Sequence, residues 1–279
     1  MTFNFFTFGG AVFWEDVFFY QKWRIQRHCF TKSYRLLDSW DIRRASGSFK
    51  TCQKAFVKYI NSYELVKQQG KMIILLHGYM DSKNIFKKLW RKFILIDSTV
   101  AALNYPSLFQ NSRESAYQLL FFLNHIDNID EVSFVTKGAG NLVLQKTLNL
   151  PLEQQIYREK MKIGNIVEIN PVIKGNIFCD YLLQFKLFRF LNKTMLGDMT
   201  EQKIKLMPNL PPHLNYLKIF CDSKFFQYFS TLIKVFHFPI DTKSFNNKRI
   251  IHIKDTPLFP IENEEILNKT VNFIKNGKI

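Results

Sequence analysis

Apolar and polar positions change period several times along this chain, and each change marks a boundary. From Met72 to Leu76 (MIILL) the run is apolar throughout, as expected for a strand covered on both faces. Comparable runs recur near 98–104, 131–136, 164–169, 215–221 and 249–254. Between them, apolar residues at helical spacing predict helices near 84–94, 112–126, 140–149 and 262–275. Strands alternating with helices imply an α/β fold: a doubly wound, mostly parallel sheet with crossover helices. Upstream, Trp23 to Phe30 and Tyr34 to Leu37 flank Thr31-Lys32-Ser33 and read as a hairpin that would start that sheet. A helix over about Ser48 to Ile60 follows it.

Composition narrows the class. The chain has 279 residues, 47% of them hydrophobic and 22% charged, enough for one sizeable core and too apolar for a disordered chain. One domain over 1–279 is expected, with residues 1–66 as an N-terminal hairpin and helix and residues 173–213 as an insertion. The four cysteines (Cys29, Cys52, Cys179, Cys221) show no CxxC and no zinc-like spacing, so they read as reduced core thiols with no metal and no cofactor implied. The apolar start, Met1 to Trp14, has no Lys or Arg ahead of it and meets Glu15-Asp16, unlike a secretory signal. It also falls short of the roughly 20 apolar residues a bilayer span needs. A cytoplasmic location is therefore expected.

The segment Val132 to Asn141 (VSFVTKGAGN) carries the most chemistry. A strand enters a tight turn of small residues and an apolar helix leaves it. This is the outline of the GxSxG nucleophile elbow, in which the middle residue sits on a strained turn at a strand tip. Here the five positions are Thr136, Lys137, Gly138, Ala139 and Gly140, so the nucleophile slot holds a glycine. A second element is Met72 to Lys88 (MIILLHGYMDSKNIFKK), a buried strand followed by His77-Gly78, a polar loop and a basic amphipathic helix. With Asn104-Tyr105-Pro106-Ser107, Asn170-Pro171, Gly175, Asp180, Leu196-Gly197 and the tail Val271 to Gly277, the order and spacing resemble the α/β-hydrolase superfamily. The likeness is to its bacterial lipase and esterase-like branch and runs from about Lys71 to the C-terminus. It implies an α/β-hydrolase-type sheet, a helical cap at 173–213, and a ligand pocket with oxyanion-hole amides formed by His77, Gly78, Tyr79, Lys137, Gly138 and Ala139.

The same resemblance implies a Ser, a His and an acid, and each matching position is substituted. The Ser position is Gly138, the His position is Asp255, and the acid position falls near Lys234. Losing a catalytic Ser or His lowers turnover roughly a million-fold and leaves about a thousand-fold over water. A non-catalytic binding or scaffolding module follows, for an acyl or lipid-like ligand or a partner. The alternative is an active esterase or lipase with a non-standard set, built from His252 or His237 with Asp222, Asp241 or Asp255, or using Ser82 or Thr136 as nucleophile. A different reading of Gly138, Ala139 and Gly140, with Lys137 beside them, is a helix-terminal nest for a carboxylate or phosphate.

Charge and aromatics add a last expectation. The formal net charge is +16, with Lys and Arg crowded at Lys22–Arg44 and Lys83–Lys92. Such a surface attracts anionic lipid or nucleic acid, but no nucleic-acid motif is present, and richness in Lys, Asn, Ile and Phe also follows from A/T-rich codons. Nucleic acid is the weaker expectation. Phe3, Phe5, Phe6, Phe8, Phe13 and Trp14 add aromatics suited to a membrane interface, so peripheral contact at the inner face of the membrane is the third functional reading. Ile177 to Leu191 is nearly continuous in apolar residues, and packing onto the sheet is its first expected role.

Overall fold

The computed structural model describes residues 13–94, 98–175, 177–223, 250–256 and 260–278. Four short strands come first: β1 (Trp14–Tyr20), β2 (Trp23–His28), β3 (Tyr34–Leu37) and β4 (Arg43–Gly47). They pair antiparallel in chain order. The expected β2–β3 hairpin is there, but it does not start the main sheet: with β1 and β4 it forms a sheet of its own. The β1–β2 turn is Gln21-Lys22, both at positive φ (48° and 70°), the two-residue geometry whose twist suits a hairpin. Helix α1 (Phe49–Tyr63) starts where the Ser48 side chain accepts the Thr51 N–H at 3.1 Å. Its buried Cys52 and Phe56 pack with Val17, Trp23, Ile25 and Leu36.

The main sheet holds β5 (Gly70–Leu76), β6 (Thr99–Leu103), β7 (Ile129–Lys137), β8 (Lys162–Ile169), β9 (Tyr216–Ser223) and β10 (Ile250–Thr256). All pairs are parallel, in the order β10-β9-β8-β7-β5-β6. Helices α2 (Lys87–Ile94), α3 (Ser112–Asn124) and α4 (Gly140–Leu148) lie between strands, and α5 (Ile177–Gln184), α6 (Met195–Asp198) and α7 (Glu201–Lys205) form the insertion. Helix α8 (Glu264–Asn276) closes the chain.

Why both faces of the sheet are apolar follows from strand geometry. Successive side chains point to opposite faces. Met72, Ile74 and Leu76 join Leu119, Phe122, Leu142 and Val143 on the α3–α4 side. Ile73 and Leu75 join Leu89, Phe93, Ile266 and Phe273 on the α2–α8 side. Within these layers sits one buried charged pair, Glu168 on β8 with Lys218 on β9, 3.5 Å apart in register. Burial raises the Glu168 carboxyl above its ordinary range, with Lys218 pulling the other way.

The two sheets meet through a buried polar junction. Asp16 of β1 donates its N–H to the Asn104 carbonyl (2.9 Å), and its carboxylate accepts the Asn104 N–H (2.7 Å) and Gln26 Nε2 (2.8 Å). Arg24 lies 3.5 Å from Asp16 and also 3.5 Å from Asp41, which in turn holds Lys83 Nζ at 2.9 Å. Much of the basic Lys22–Arg44 stretch is therefore matched internally: Arg27 pairs with buried Glu15 and Arg44 with Asp38. Asp16→Ala leaves Arg24, Gln26 and the Asn104 N–H without their buried acceptor. The expected loss is about 3–5 kcal/mol of stability, read as a lowered urea midpoint, whereas Glu201→Ala on the exposed face of α7 leaves the midpoint in place.

Candidate functional site

Three neighbouring strands end at one mouth. β5 runs into His77-Gly78, β7 into Lys137-Gly138 and β8 into Asn170, and ligands of such sheets bind at these carboxyl ends. At the tip of β7 the chain turns through Gly138, at φ +50°, and Ala139 before α4 begins at Gly140. Gly138 donates its N–H to the Ile169 carbonyl at 2.9 Å, and its own carbonyl accepts the Asn141 N–H at 3.2 Å.

Close backbone approach excludes a side chain at Gly140 and crowds Gly78. A Cβ at Gly140 would lie 2.6 Å from the Leu76 carbonyl oxygen and 2.7 Å from that of His77, inside contact distance. One at Gly78 would lie 3.1 Å from the Lys137 carbonyl oxygen. Gly138 differs. A Cβ there meets only the Gly78 Cα, at 3.9 Å, so a side chain has room and the objection is the left-handed backbone, about 1–2 kcal/mol for an L-residue. Strand, turn and helix meet at Gly138, which carries no side chain.

His77 is fully buried and built into the wall. Its ring stacks on Tyr105 (centroids 4.1 Å apart, planes 9°), and its Nδ1 lies 2.8 Å from the Gly78 carbonyl. Nε2 accepts the Tyr105 N–H at 3.4 Å, and the Tyr105 hydroxyl donates to the His77 carbonyl. This set requires the neutral ring with the proton on Nδ1. Burial pulls its pKa down to about 4, against the raising influence of the Gly78 carbonyl and Asp81. Both ring nitrogens face backbone groups, so His77 supports the loop and is not poised as a base.

Lys137 spans the mouth to Asp81 in the loop after β5, Nζ to Oδ2 2.6 Å. No local pattern marks Asp81, which lies 56 residues from its partner. The pair neutralises Lys137 beside the turn and so disfavours the carboxylate or phosphate nest suggested by Lys137 with Gly138, Ala139 and Gly140. Tyr79 is half-buried and joins the apolar cluster containing Ala139, Cys179, Met195, Leu196 and Met199, so the insertion packs onto the mouth. Burial raises both the Tyr79 hydroxyl and the Cys179 thiol, the latter to about 11, which leaves the thiol protonated and inert. Asn141 exchanges two hydrogen bonds with Val172 (3.1 and 3.2 Å) and fixes the start of α4 to the chain after β8.

The remaining candidates do not gather here. Thr136 shares a face with Val132 and Phe134 and is buried in the α3–α4 layer. Ser82 accepts the Asn84 N–H at 3.4 Å at the start of a helical turn. His252 is exposed on β10 and stacks on Phe220, three strand positions from β7, about 14 Å at ordinary strand spacing. Asn170 adopts φ +46° and its side chain accepts the Cys221 N–H at 2.7 Å, a splice between β8 and β9. Lys234, His237 and Asp241 lie outside the described residues, as do the side chains of Asp222 and Asp255.

The strand order and the strand, tight turn and helix at the end of β7 decide the fold. It is an α/β-hydrolase fold. Similar chain paths occur among solved esterase structures. Esterase B from Lactobacillus rhamnosis, in an inhibited form, gives a TM-score of 0.48 at 13% identity, over 75% of this chain and 76% of that one. A metagenomic carboxyl esterase gives 0.47 at 13% identity over 61% of this chain and 57% of that one, so this chain spans little more than half of that protein. Tomato methylketone synthase I, solved with 2-tridecanone, gives 0.46 at 14% identity over 76% of this chain and 100% of that one. No protein-family model and no curated protein matches the sequence. Likenesses this distant concern chain path alone and carry nothing about the chemistry of this α/β-hydrolase fold.

The His77 geometry makes a pH prediction. Its folded pKa of about 4 lies below the ordinary 6.5, so the unfolded chain takes up the proton first on acidification. The stability linked to His77 is complete above pH 6.5 and is lost progressively toward pH 4, by about 3 kcal/mol in full. In NMR titration the His77 ring stays in the neutral Nδ1–H form to about pH 4, and His77→Gln shrinks the wild-type drop in urea midpoint between pH 7 and 4.5. Titration of that ring near 6.5 contradicts the geometry.

Proposed function

We propose that this α/β-hydrolase-fold chain is a non-catalytic module that holds an acyl or lipid-like ligand at the end of β7, beneath the insertion. One observation carries the reading: the position that would bear a nucleophile is Gly138, held at φ +50° with room for a side chain and none present. A covalent acyl intermediate needs an oxygen or sulfur at that position. Among the described residues, the mouth carries backbone, the paired Lys137 and Asp81 and buried apolar side chains, groups that bind and orient but do not attack.

The apolar packing beside the turn favours the ligand class. The inner side of the insertion brings Cys179, Met195, Leu196 and Met199 into one apolar cluster with Tyr79 and Ala139. Methionine fills irregular space with soft contacts, which suits a chain of methylenes. The balanced charge at Lys137–Asp81 suits the polar end of an amphiphile better than a bare phosphate, since a further anion would compete with Asp81 for the same ammonium.

Native mass spectrometry of the protein purified from its own cells tests this reading. The expected spectrum shows a non-covalent adduct of acyl or lipid-like mass that disappears on denaturation. Gly138→Leu, at a cost of about 1–2 kcal/mol in backbone strain, fills the mouth and lowers adduct occupancy at least tenfold while the protein stays folded. A wild-type protein that carries nothing, or a variant that keeps its adduct, overturns the proposal.

A further inference from the structure

The insertion is apolar on both sides, and packing explains only the inner one. Cys179, Met195, Leu196 and Met199 are buried, whereas Tyr181 is 57% exposed, Phe185 47%, Leu187 75% and Phe190 66%. The Tyr181 and Phe185 rings meet edge to face at 5.1 Å, so these two side chains form one continuous apolar surface. Four large apolar side chains exposed within ten residues form the kind of patch that marks an interaction surface.

Charge identifies the occupant. Residues 181–193 (YLLQFKLFRFLNK) contain Lys186, Arg189 and Lys193 and no acid, and all three cations are exposed. None of the three makes an ion pair with a described residue. A second copy docking face to face would set these cations against their own symmetry mates, a repulsive arrangement. Interleaved cations and large apolar groups match instead a surface with anionic headgroups over acyl chains, where Phe, Leu and Tyr enter the interface and Lys and Arg remain at headgroup level. Among the described residues, no helix is long and apolar enough to cross a membrane.

We infer that residues 181–193 form a docking surface for an anionic lipid bilayer, with Leu187 and Phe190 inserted and Lys186, Arg189 and Lys193 on the headgroups. This surface differs from the aromatic start of the chain and from the basic Lys83–Lys92 stretch. It also stands apart from the ligand reading of the β7 mouth.

Flotation with vesicles tests it, using phosphatidylcholine alone or mixed with about one third phosphatidylglycerol. The wild-type chain is expected to float with the mixed vesicles and to stay below with phosphatidylcholine alone. Lys186→Gln with Arg189→Gln removes two headgroup contacts and lowers the partition coefficient about thirtyfold. Leu187→Gln with Phe190→Gln keeps the charge and lowers it at least tenfold. All four positions are exposed, so urea midpoints stay at the wild-type value, and a loss of flotation reports the surface and not unfolding. The inference fails if either double variant floats within about twofold of wild type, since binding then lies elsewhere on the chain. It fails equally if sedimentation velocity without lipid shows a dimer that Leu187→Gln with Phe190→Gln abolishes, since the patch then belongs to a second copy.

Discussion

The mouth of this protein depends on how closely two stretches of backbone approach. The end of β5 lies against the turn after β7, with Gly78 beside the Lys137 carbonyl and Gly140 pressed on the carbonyls of Leu76 and His77. No side chain fits at Gly140. This contact sets the start of α4, the position of Gly138 and the depth at which His77 is buried, so the elbow is shaped by the packing of its neighbours. Gly138 alone among the three glycines has space for a side chain, and its identity is set by backbone angle, not by crowding.

A second constraint ties the small sheet to the same region. Asp16 and Asn104 exchange hydrogen bonds across the two sheets, and Arg24, Asp41 and Lys83 extend the contact toward the loop after β5. That loop is also held by Ser107, whose hydroxyl accepts the Met80 N–H at 3.2 Å, and by Asn104, whose side chain accepts the Lys83 N–H at 2.9 Å. The segment Asn104 to Ser107 thus works as a bracket. On the far side of the mouth, Asp198 accepts both the N–H and the hydroxyl of Ser112 at 2.6 Å, with Lys146 and Lys203 3.5 Å away, and anchors the insertion on α3 and α4. The anchored inner side leaves the outer aromatic side free to meet something else.

Much of this was legible in the sequence because it rests on period. All six strands of the main sheet and the helices between them fall where apolar spacing predicts, since a buried parallel sheet writes itself as unbroken apolar runs. The failures come from compensation across space. β1 carries no sequence signal because Glu15-Asp16 reads as the end of an apolar stretch, yet both are buried, Glu15 against Arg27 and Asp16 against Gln26 and Arg24. β4 (RRASG) has no apolar face to signal it, and the Gln21-Lys22 turn contains none of the residues that usually mark such a turn. The basic stretch from Lys22 to Arg44 looked like a binding surface and is in good part matched inside the small sheet. At the mouth, Gly138 and its neighbours were visible as a motif. The Lys137–Asp81 pair was not, because a contact between loops 56 residues apart leaves no trace in local pattern.

The central claim is that the β7 tip binds and does not form a bond. The most direct measurement is rapid-mixing kinetics with p-nitrophenyl butyrate at substrate in excess, following nitrophenolate release at protein concentrations high enough to see one equivalent. The account predicts a linear trace from the first milliseconds, with no burst. A burst of about one nitrophenolate per protein molecule, followed by a slower steady rate, is the signature of an acyl-enzyme and would contradict it.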